Sequence, residues 1–245
     1  MPRIFLPLGE NPRIVHIAGE NARYLLTVLR CREGEELEIL DGRGLCYSTK
    51  IVSLTRKEVI AEVSGVTPRN TESGINLILA QGLLKGEKMD LVVQKTTELG
   101  VKEIIPVVTE RSQVRETRKT GRWKKIASDA SRQCGRTAIP VIREPVPYHS
   151  LFSVNSEYNP CLGKCKGLLF WEERGMKMKE LRDRLGECMT MIIAVGPEGG
   201  FTEAEAKLAE SGGFLIASLG NRILRAETAA ISATAIVQLL FGDLG

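Results

Sequence analysis

From residue 75 onward, apolar runs of strand length alternate with segments that have the periodicity of amphipathic helices. Residues 75–80 form the first run, and a helical pattern follows Gly86. Its apolar positions recur at about 3.6 residues, and Gly100 is placed to end the helix. These positions are Met89, Val92, Val93, Thr96 and Leu99. Because strands that alternate with helices pair in parallel, this region is predicted to be α/β with a mostly parallel sheet.

Two of the apolar runs lead into loops that contain turn-forming residues. Residues 191–195 precede the loop 196–201 (GPEGGF), and residues 214–218 precede the loop 219–228 (LGNRILRAET). Helical patterns follow both loops. Because ligands of open α/β sheets bind outside the carboxyl ends of the strands, we expect the two loops to face one crevice. The sequence therefore predicts the functional site there.

The first loop has the composition of a loop that approaches a ligand with its backbone. Gly196, Gly199 and Gly200 permit backbone angles that other residues avoid. Thr202 and Glu205 form a capping-box pattern, which predicts that a helix begins at residue 203. The loop matches neither the P-loop nor the dinucleotide-binding pattern, so backbone amides and carbonyls suit its ligand better than phosphate recognition does. An ordinary strand-to-helix turn remains the alternative for this loop alone.

The second loop concentrates charge between two apolar elements. Arg222, Arg225 and Glu227 lie between the apolar run 214–218 and the apolar helical segment 229–241. Charges placed beside buried elements are usually paired or functional. The second loop therefore favours a functional site over a plain turn.

The first 70 residues follow a different pattern. Short strand patterns, such as 36–40 and 58–63, are separated by turn signals at 41–44, and one helix is predicted over 21–30. This arrangement predicts a small β-barrel. Residues 68–74 are polar and contain Pro and Gly, so they are the predicted linker.

The two C-terminal loops together resemble the signature of the ribosomal RNA small subunit methyltransferase E family, which belongs to the SPOUT class of RNA methyltransferases. The resemblance spans nearly the whole chain. It includes residues 2–5, 28–30, 88–90, 94–95, 98–101, 105–106, 110–112, 133–136 and 139–140. Three departures stand out: residues 24–27 lack a histidine that the family often has, Cys134 replaces a serine, and residues 156–166 have no recognised counterpart.

The resemblance implies a fold, an activity and partners. It implies a PUA-like RNA-binding β-barrel in 1–70 and a SPOUT domain with a trefoil knot in 75–245. The implied reaction transfers a methyl group from S-adenosylmethionine to N3 of a uridine in 16S rRNA, within the 30S ribosomal subunit. SPOUT enzymes are usually homodimers, so the resemblance implies a homodimer. The apolar helix 229–241 must be buried in its own core or against a second subunit.

The resemblance also implies roles for individual residues. S-adenosylmethionine is expected to bind between the two loops, with a contribution from the segment after the predicted strand 167–169. The expected cofactor-binding residues are Phe170, Val195, Gly196, Pro197, Glu198, Gly199, Gly200, Leu219, Gly220, Asn221, Ile223 and Leu224. Arg225 is the expected catalytic residue, because a permanently charged guanidinium can stabilise the uracil anion as it forms. The alternative is that Arg225 pairs with Glu227 or Glu198 to hold the loop.

Charge distribution indicates where RNA binds. The chain carries a formal net charge of only +4, but residues 111–136 concentrate Arg and Lys and contain only Glu116 and Asp129 as acidic side chains. A basic segment of this kind can contact RNA phosphates, although a solvated helix face around Trp123 would have the same composition. The expected RNA-binding residues are Arg3, Arg30, Arg111, Arg115, Arg122, Lys124, Arg132 and Arg136.

Composition limits the other classes of protein. No apolar run has transmembrane length and no signal-peptide pattern begins the chain, so we expect a cytoplasmic protein that does not enter a membrane. Six scattered cysteines do not form a disulfide framework, and no metal site is expected from Cys161 and Cys165. Three alternatives remain: a SPOUT methyltransferase for another RNA such as tRNA, a non-catalytic RNA-binding relative, and a nucleotide-dependent enzyme.

Overall fold

The computed structural model describes residues 1–9, 12–153, 156, 158, 160 and 165–245. The chain divides into two compact units, Met1–Glu72 with Ser131–Ile139, and Ser73–Ala130 with Pro140–Gly245. The first unit is therefore built from two separate stretches of the sequence, which a single domain boundary cannot describe. The domain bounds 1–70 and 75–245 stay a prediction. Cys161, half of the cysteine pair considered as metal ligands, lies outside the described residues.

The first unit contains a five-stranded sheet in the order β1-β3-β4-β5-β2. Its strands are β1 (Arg3–Phe5), β2 (Ile14–Ala18), β3 (Glu36–Leu40), β4 (Leu45–Leu54) and β5 (Glu58–Pro68). β1 and β3 are parallel, whereas the other neighbours are antiparallel. Alternate side chains, among them Leu37, Ile39, Ile51 and Val59, are buried in one core. The strand predicted at 36–40 is confirmed, and the one predicted at 58–63 extends to Pro68.

The helix of the first unit is shorter and less regular than the predicted helix 21–30. The α-helix α1 covers Gly19–Arg23, and a π-helical turn follows at Tyr24–Val28. The turn ends where the Leu29 N–H donates to the Tyr24 carbonyl at 3.0 Å and Arg30 takes a φ of 54°. A non-glycine residue rarely adopts this left-handed conformation, so the backbone cannot continue as a helix there.

The second unit contains an eight-stranded sheet, counted over the described residues, in which all pairs are parallel. This confirms the predicted parallel α/β fold. The order is β11-β13-β10-β12-β6-β7-β8, with β9 also paired to β7. The strands are β6 (Asn76–Gly82), β7 (Glu103–Val108), β8 (Val141–Ile142), β9 (Val146–Pro147), β10 (Lys166–Phe170), β11 (Met176–Lys177), β12 (Thr190–Val195) and β13 (Phe214–Ser218).

The described chain also contains a 3₁₀-helix, Tyr148–Phe152, and its fold is completed by five further α-helices. They are α2 (Lys88–Glu98), α3 (Thr120–Cys134), α4 (Met178–Leu185), α5 (Glu203–Ser211) and α6 (Ala226–Phe241). The predicted start at Glu203 is confirmed, because the Thr202 hydroxyl accepts from the Glu205 N–H at 3.3 Å and the Glu205 carboxylate accepts from the Thr202 N–H at 2.9 Å. α6 begins at Ala226 rather than at residue 229, since its polar first turn is also helical.

Apolar side chains cover both faces of the parallel sheet and form two core clusters. Trp123 on α3 is 2% exposed, and its indole N–H donates to the Asp90 carboxylate at 3.0 Å. Arg122 donates to the same carboxylate at 2.8 Å. The face of α3 that carries Trp123 is therefore buried, whereas neighbouring basic residues are exposed. None of the described helices is both long and apolar enough to cross a bilayer.

Candidate active site

A cavity of about 350 Å³ lies at the carboxyl ends of β10, β12 and β13. Its walls come from the turn after β10, the loop after β12, and the loop after β13 together with the start of α6. These three strands are neighbours in the sheet, in the order β13-β10-β12. Because they are parallel, their carboxyl ends lie at the same edge, which brings the two glycine-containing loops together.

The cavity brings together most residues that the sequence assigned to a cofactor. The ones that line it are Phe170, Val195, Gly196, Pro197, Glu198, Gly200, Leu219, Gly220, Ile223 and Leu224. Arg225 also lines it. Gly199 and Asn221 do not, and Gly199 lies against Arg111 instead. Trp171 and Glu172, from the segment after 167–169 that was expected to contribute, also line the cavity. The wall further includes residues outside the expected set, namely Lys88, Ser218, Arg222, Ala226, Glu227 and Ala229. Of these, Lys88 belongs to the motif 88–90 of the family resemblance, and that motif was the one feature of the sequence that marked Lys88.

The end of β6 contacts the loop after β12 and holds it in place. The Gln81 side-chain amide donates to the carbonyls of Gly82 at 3.0 Å and Gly196 at 3.1 Å. A Cβ atom on Gly82 would lie 2.6 Å from Pro197 Cδ and 2.8 Å from the Gly196 carbonyl carbon. The loop therefore reaches its position because β6 ends in a residue without a side chain.

We expect Gly82→Ala to lower the free energy of unfolding by about 1–3 kcal/mol, because the added methyl group overlaps backbone that has to move. Urea unfolding followed by circular dichroism measures the change. Gly121→Ala is the matched control, since in the described structure its Cβ position has no atom within 4 Å apart from its chain neighbours and the backbone of its own helix, and alanine favours the helix α3. A Gly82→Ala protein as stable as the control variant would contradict the close approach.

The two carboxylate oxygens of Glu198 differ in their hydrogen bonding within the described chain: one accepts two hydrogen bonds and the other accepts none. Its Oε1 accepts from Lys88 Nζ at 3.0 Å and from the Lys85 N–H at 3.1 Å. Within the described chain, Oε2 is buried without a hydrogen-bond partner. Burial acts to raise the pKa of Glu198, but its backbone hydrogen bonds and Lys88 outweigh this, so the pKa lies below its usual value. Glu198 is therefore an ionised acceptor at neutral pH.

Glu227, at the start of α6, also has a buried Oε2 without a partner among the described residues. Two carboxylates with unused acceptor oxygens thus belong to the lining of one cavity. A buried acceptor without a donor is costly, so this cavity favours a ligand that carries hydrogen-bond donors or positive charge.

Arg225 occupies the N-cap position of α6 and is exposed at the cavity. Among the described residues, no ion pair joins its guanidinium to Glu227 or Glu198, and Glu198 pairs with Lys88 instead. The alternative in which Arg225 serves to hold the loop through such a pair therefore has no support in the structure.

Four of the expected RNA contacts lie in the second unit. The Arg111 guanidinium donates to the carbonyls of Gly199 and Phe201. Arg115 is exposed and donates to the Glu110 carbonyl at 3.0 Å. Arg122 pairs with Asp90 at 2.7 Å, and Lys124 approaches Glu144 at 3.7 Å, yet both basic side chains remain more than half exposed. All four residues are exposed and thus keep surface available for phosphate.

The other four lie in the first unit. Arg30 is exposed, Arg3 pairs with Glu38 at 2.5 Å, and the Arg132 guanidinium lies 4.0 Å from the centre of the Tyr24 ring. Arg136 is only 4% exposed and pairs with Glu72 at 2.5 Å. The expectation that Arg136 contacts RNA is therefore corrected, because a guanidinium buried against a carboxylate is not available to phosphate.

Comparisons with known proteins identify both units. The model of the RNA methyltransferase domain matches residues 71–238, and that of the RNA methyltransferase PUA domain matches residues 17–64. The ribosomal RNA small subunit methyltransferase E of Buchnera aphidicola (subspecies Acyrthosiphon pisum) is 33% identical and covers 99% of this chain and 95% of its own. The enzyme of that name from Bacillus subtilis is 30% identical, with 99% and 100% covered.

A solved structure agrees with the sequence comparisons. The crystal structure of a ribosomal RNA small subunit methyltransferase E from Neisseria gonorrhoeae, bound to S-adenosylmethionine, superposes with a TM-score of 0.90 at 32% identity. The match covers 100% of both chains. Sequence and structure thus agree along the full length, and this chain belongs to the ribosomal RNA small subunit methyltransferase E family.

Proposed function

We propose that this protein transfers the methyl group of S-adenosylmethionine to N3 of a uridine in 16S rRNA and so forms 3-methyluridine. The cavity between the two glycine-containing loops carries this proposal, because it lies in a chain that matches the methyltransferase E family over its full length. The relative from Neisseria gonorrhoeae binds S-adenosylmethionine. The basic side chains of the second unit supply the charge that an RNA substrate needs.

The cavity fits the cofactor in its chemistry. S-adenosylmethionine carries a sulfonium and an ammonium group, and the free oxygens of Glu198 and Glu227 are acceptors without donors in the described chain. Leu219, Ile223 and Leu224 supply apolar surface for the adenine. The backbone of Val195 and Gly196 supplies amides and carbonyls that suit its polar edge. We assign cofactor binding to these residues together with the other predicted residues on the cavity wall.

Catalysis has to make the uridine nitrogen nucleophilic. N3 carries a proton at neutral pH, and this proton must leave to solvent or to a base before the nitrogen lone pair can attack the methyl carbon. The bound cofactor supplies an activated methyl group whose bond to sulfur breaks as the new bond to N3 forms. We assign to Arg225 the stabilisation of the negative charge on the uracil, since its guanidinium faces the cavity without an ion-pair partner in the described chain.

The proposal extends to the substrate, the oligomeric state and the cellular location. We propose that the 30S subunit is the substrate, that the enzyme is a homodimer, and that it acts in the cytoplasm, where ribosomal subunits assemble. The N-terminal unit, which matches a PUA domain model, and the exposed residues Arg115, Arg122 and Lys124 support RNA binding. The trefoil knot of the SPOUT class remains a prediction.

A methylation assay tests the proposal. Purified protein is incubated with labelled S-adenosylmethionine and, separately, with unmodified 16S rRNA, 30S subunits or bulk tRNA, and the products are digested and identified by mass spectrometry. We expect 3-methyluridine in the small-subunit RNA, most strongly from 30S subunits. Label in tRNA or a 2′-O-methyl nucleoside would overturn the assigned substrate and position. Absence of label from every RNA would contradict the proposed reaction.

A further inference from the structure

Arg111 contacts the loop after β12 at Gly199 and Phe201, two residues that do not line the cavity. Its Nη1 donates to the carbonyl oxygens of Gly199 at 3.0 Å and Phe201 at 3.4 Å. The Phe201 carbonyl also accepts from the Trp171 indole N–H at 3.2 Å. Trp171 follows β10 and Arg111 follows β7, so the turns after two different strands converge on one short stretch of the loop.

The approach of Arg111 depends on the glycine that it contacts. A Cβ atom on Gly199 would lie 2.9 Å from the Arg111 Cβ and 3.3 Å from the Arg111 carbonyl oxygen. Real Cβ atoms do not come so close to other atoms without displacement, so any side chain here would push the loop and the turn apart. Gly199 was expected to bind the cofactor, and this contact gives it a different role.

The turn that carries Arg111 is itself fixed to the start of α5. The Glu110 N–H donates to Glu205 Oε1 at 2.8 Å, and the Thr202 hydroxyl donates to Glu110 Oε2 at 3.2 Å. The Ser112 hydroxyl accepts from the Thr109 N–H at 3.0 Å. The guanidinium therefore projects from a turn that is hydrogen-bonded to the start of α5, and these bonds set its position relative to the loop.

We propose that Arg111 is a positioning residue that holds the Gly199–Phe201 stretch and thereby shapes the cofactor site, rather than a contact to RNA phosphate. This inference rests on the proposed function of the cavity. Hydrogen bonds from a charged donor are stronger than those between neutral groups, and arginine stays charged at all relevant pH values. Residues 196–198 and Gly200 form part of the cavity wall, so a displacement of the Gly199 and Phe201 carbonyls moves that part of the wall.

Arg111→Gln and Arg111→Lys separate this role from an RNA contact. We expect Arg111→Gln to weaken S-adenosylmethionine binding about tenfold or more in calorimetry, and to raise the KM for the cofactor but not for RNA. Arg111→Lys keeps the charge but replaces the planar guanidinium, so its affinity for S-adenosylmethionine is expected to lie between those of Arg111→Gln and the wild type. The salt dependence of RNA binding stays unchanged in both variants. Unchanged cofactor affinity in Arg111→Gln would overturn the inference.

Arg118→Gln is the matched control for charge. Arg118 is exposed in the same basic segment, and no contact between its side chain and the loop occurs in the described structure. The control removes the same charge, so it is expected to weaken RNA binding and to reduce its salt slope, with unchanged cofactor affinity. If Arg111→Gln behaved like this control, Arg111 would be an RNA contact and the inference would be wrong.

Gly199→Ala disturbs the same contact while the arginine remains. We expect it to weaken cofactor binding by a factor similar to that of Arg111→Gln, and the double variant to be little worse than either single one, because both break one interaction. Thermal unfolding checks that each variant is folded. Fully additive effects would contradict a shared contact. Failure of the proposed function is visible separately, because the wild-type protein would then bind no S-adenosylmethionine.

Discussion

Arg225→Ala is expected to lower the single-turnover rate of methyl transfer about 10²–10³-fold, which is the typical cost of removing one preorganised donor to a developing anion. Arg225 lines the cavity at the N-cap of α6, and among the described residues its guanidinium makes no ion pair with Glu198 or Glu227. Its charge is therefore available to the substrate. S-adenosylmethionine affinity should stay within a few-fold of wild type, because the anion forms only on the uracil.

The measurement is a single-turnover assay with saturating cofactor and 30S subunits, accompanied by calorimetry for cofactor binding. Arg225→Lys tests the geometry, since an ammonium keeps the charge but loses the planar pair of donors, and we expect an intermediate rate. Arg182→Ala is the matched control, because Arg182 is exposed on α4 and does not line the cavity. A wild-type rate in Arg225→Ala would exclude the assigned role. A rate loss matched by an equal loss of cofactor affinity would instead assign Arg225 to cofactor binding.

The features that the sequence predicted well are those fixed by neighbouring residues. The capping box that starts α5 needs only Thr202 and Glu205, and the strand 214–218 needs only its own apolar run. The two loops were expected to share a crevice because parallel strands expose their carboxyl ends at one edge. That rule requires the strands to be close in the sheet, and β10 does lie directly between β12 and β13.

The features that the sequence did not predict depend on partners far along the chain. Glu198 pairs with Lys88 across 110 positions, and Gln81 reaches the Gly196 carbonyl across 115. No local pattern shows that β6 lies beside β12, so the contribution of β6 to the site could not be derived. The motif around Lys88 marked that residue through family resemblance, without showing what it contacts.

Runs of basic residues were the least informative signal for the RNA-binding site, because the sequence does not show whether an arginine is exposed to solvent or paired with a carboxylate. Arg115 and Arg136 belong to one basic segment, yet Arg115 is exposed whereas Arg136 is buried. The difference lies in Glu72, which is 64 positions from Arg136 and which a reading of the segment alone does not include. Burial decides the role of an arginine, and burial is set by the tertiary fold.

Arg136→Ala is expected to destabilise the first unit by about 3–5 kcal/mol, the usual cost of removing one partner from a buried ion pair. The Arg136 side chain is 5% exposed and Glu72 is 16% exposed. Glu72 also accepts from the N–H groups of Thr137 and Ala138, each at 3.1 Å. Hydrogen exchange of the β4 and β5 amides reports on this unit, and Arg56→Ala, at an exposed turn, is the matched control. Equal protection in the two variants would show that the pair contributes nothing.

The contribution of Glu72 should also depend on pH. Burial acts to raise the pKa of Glu72, but the hydrogen bonds and charge of Arg136 and the two backbone N–H groups outweigh it, so the folded-state pKa lies below the usual value. A carboxylate with a lowered folded-state pKa stabilises the protein fully above its unfolded pKa of about 4.3 and loses that contribution as the pH falls through the folded-state value.

Urea unfolding of wild type and Glu72→Gln from pH 7 to pH 3 measures this contribution as the difference in their free energies of unfolding. We expect the difference to be constant near neutral pH and to shrink below about pH 4.3, because protonated Glu72 resembles glutamine. A difference that persists unchanged to pH 3 would show that the ion pair with Arg136 is not the source of the stability.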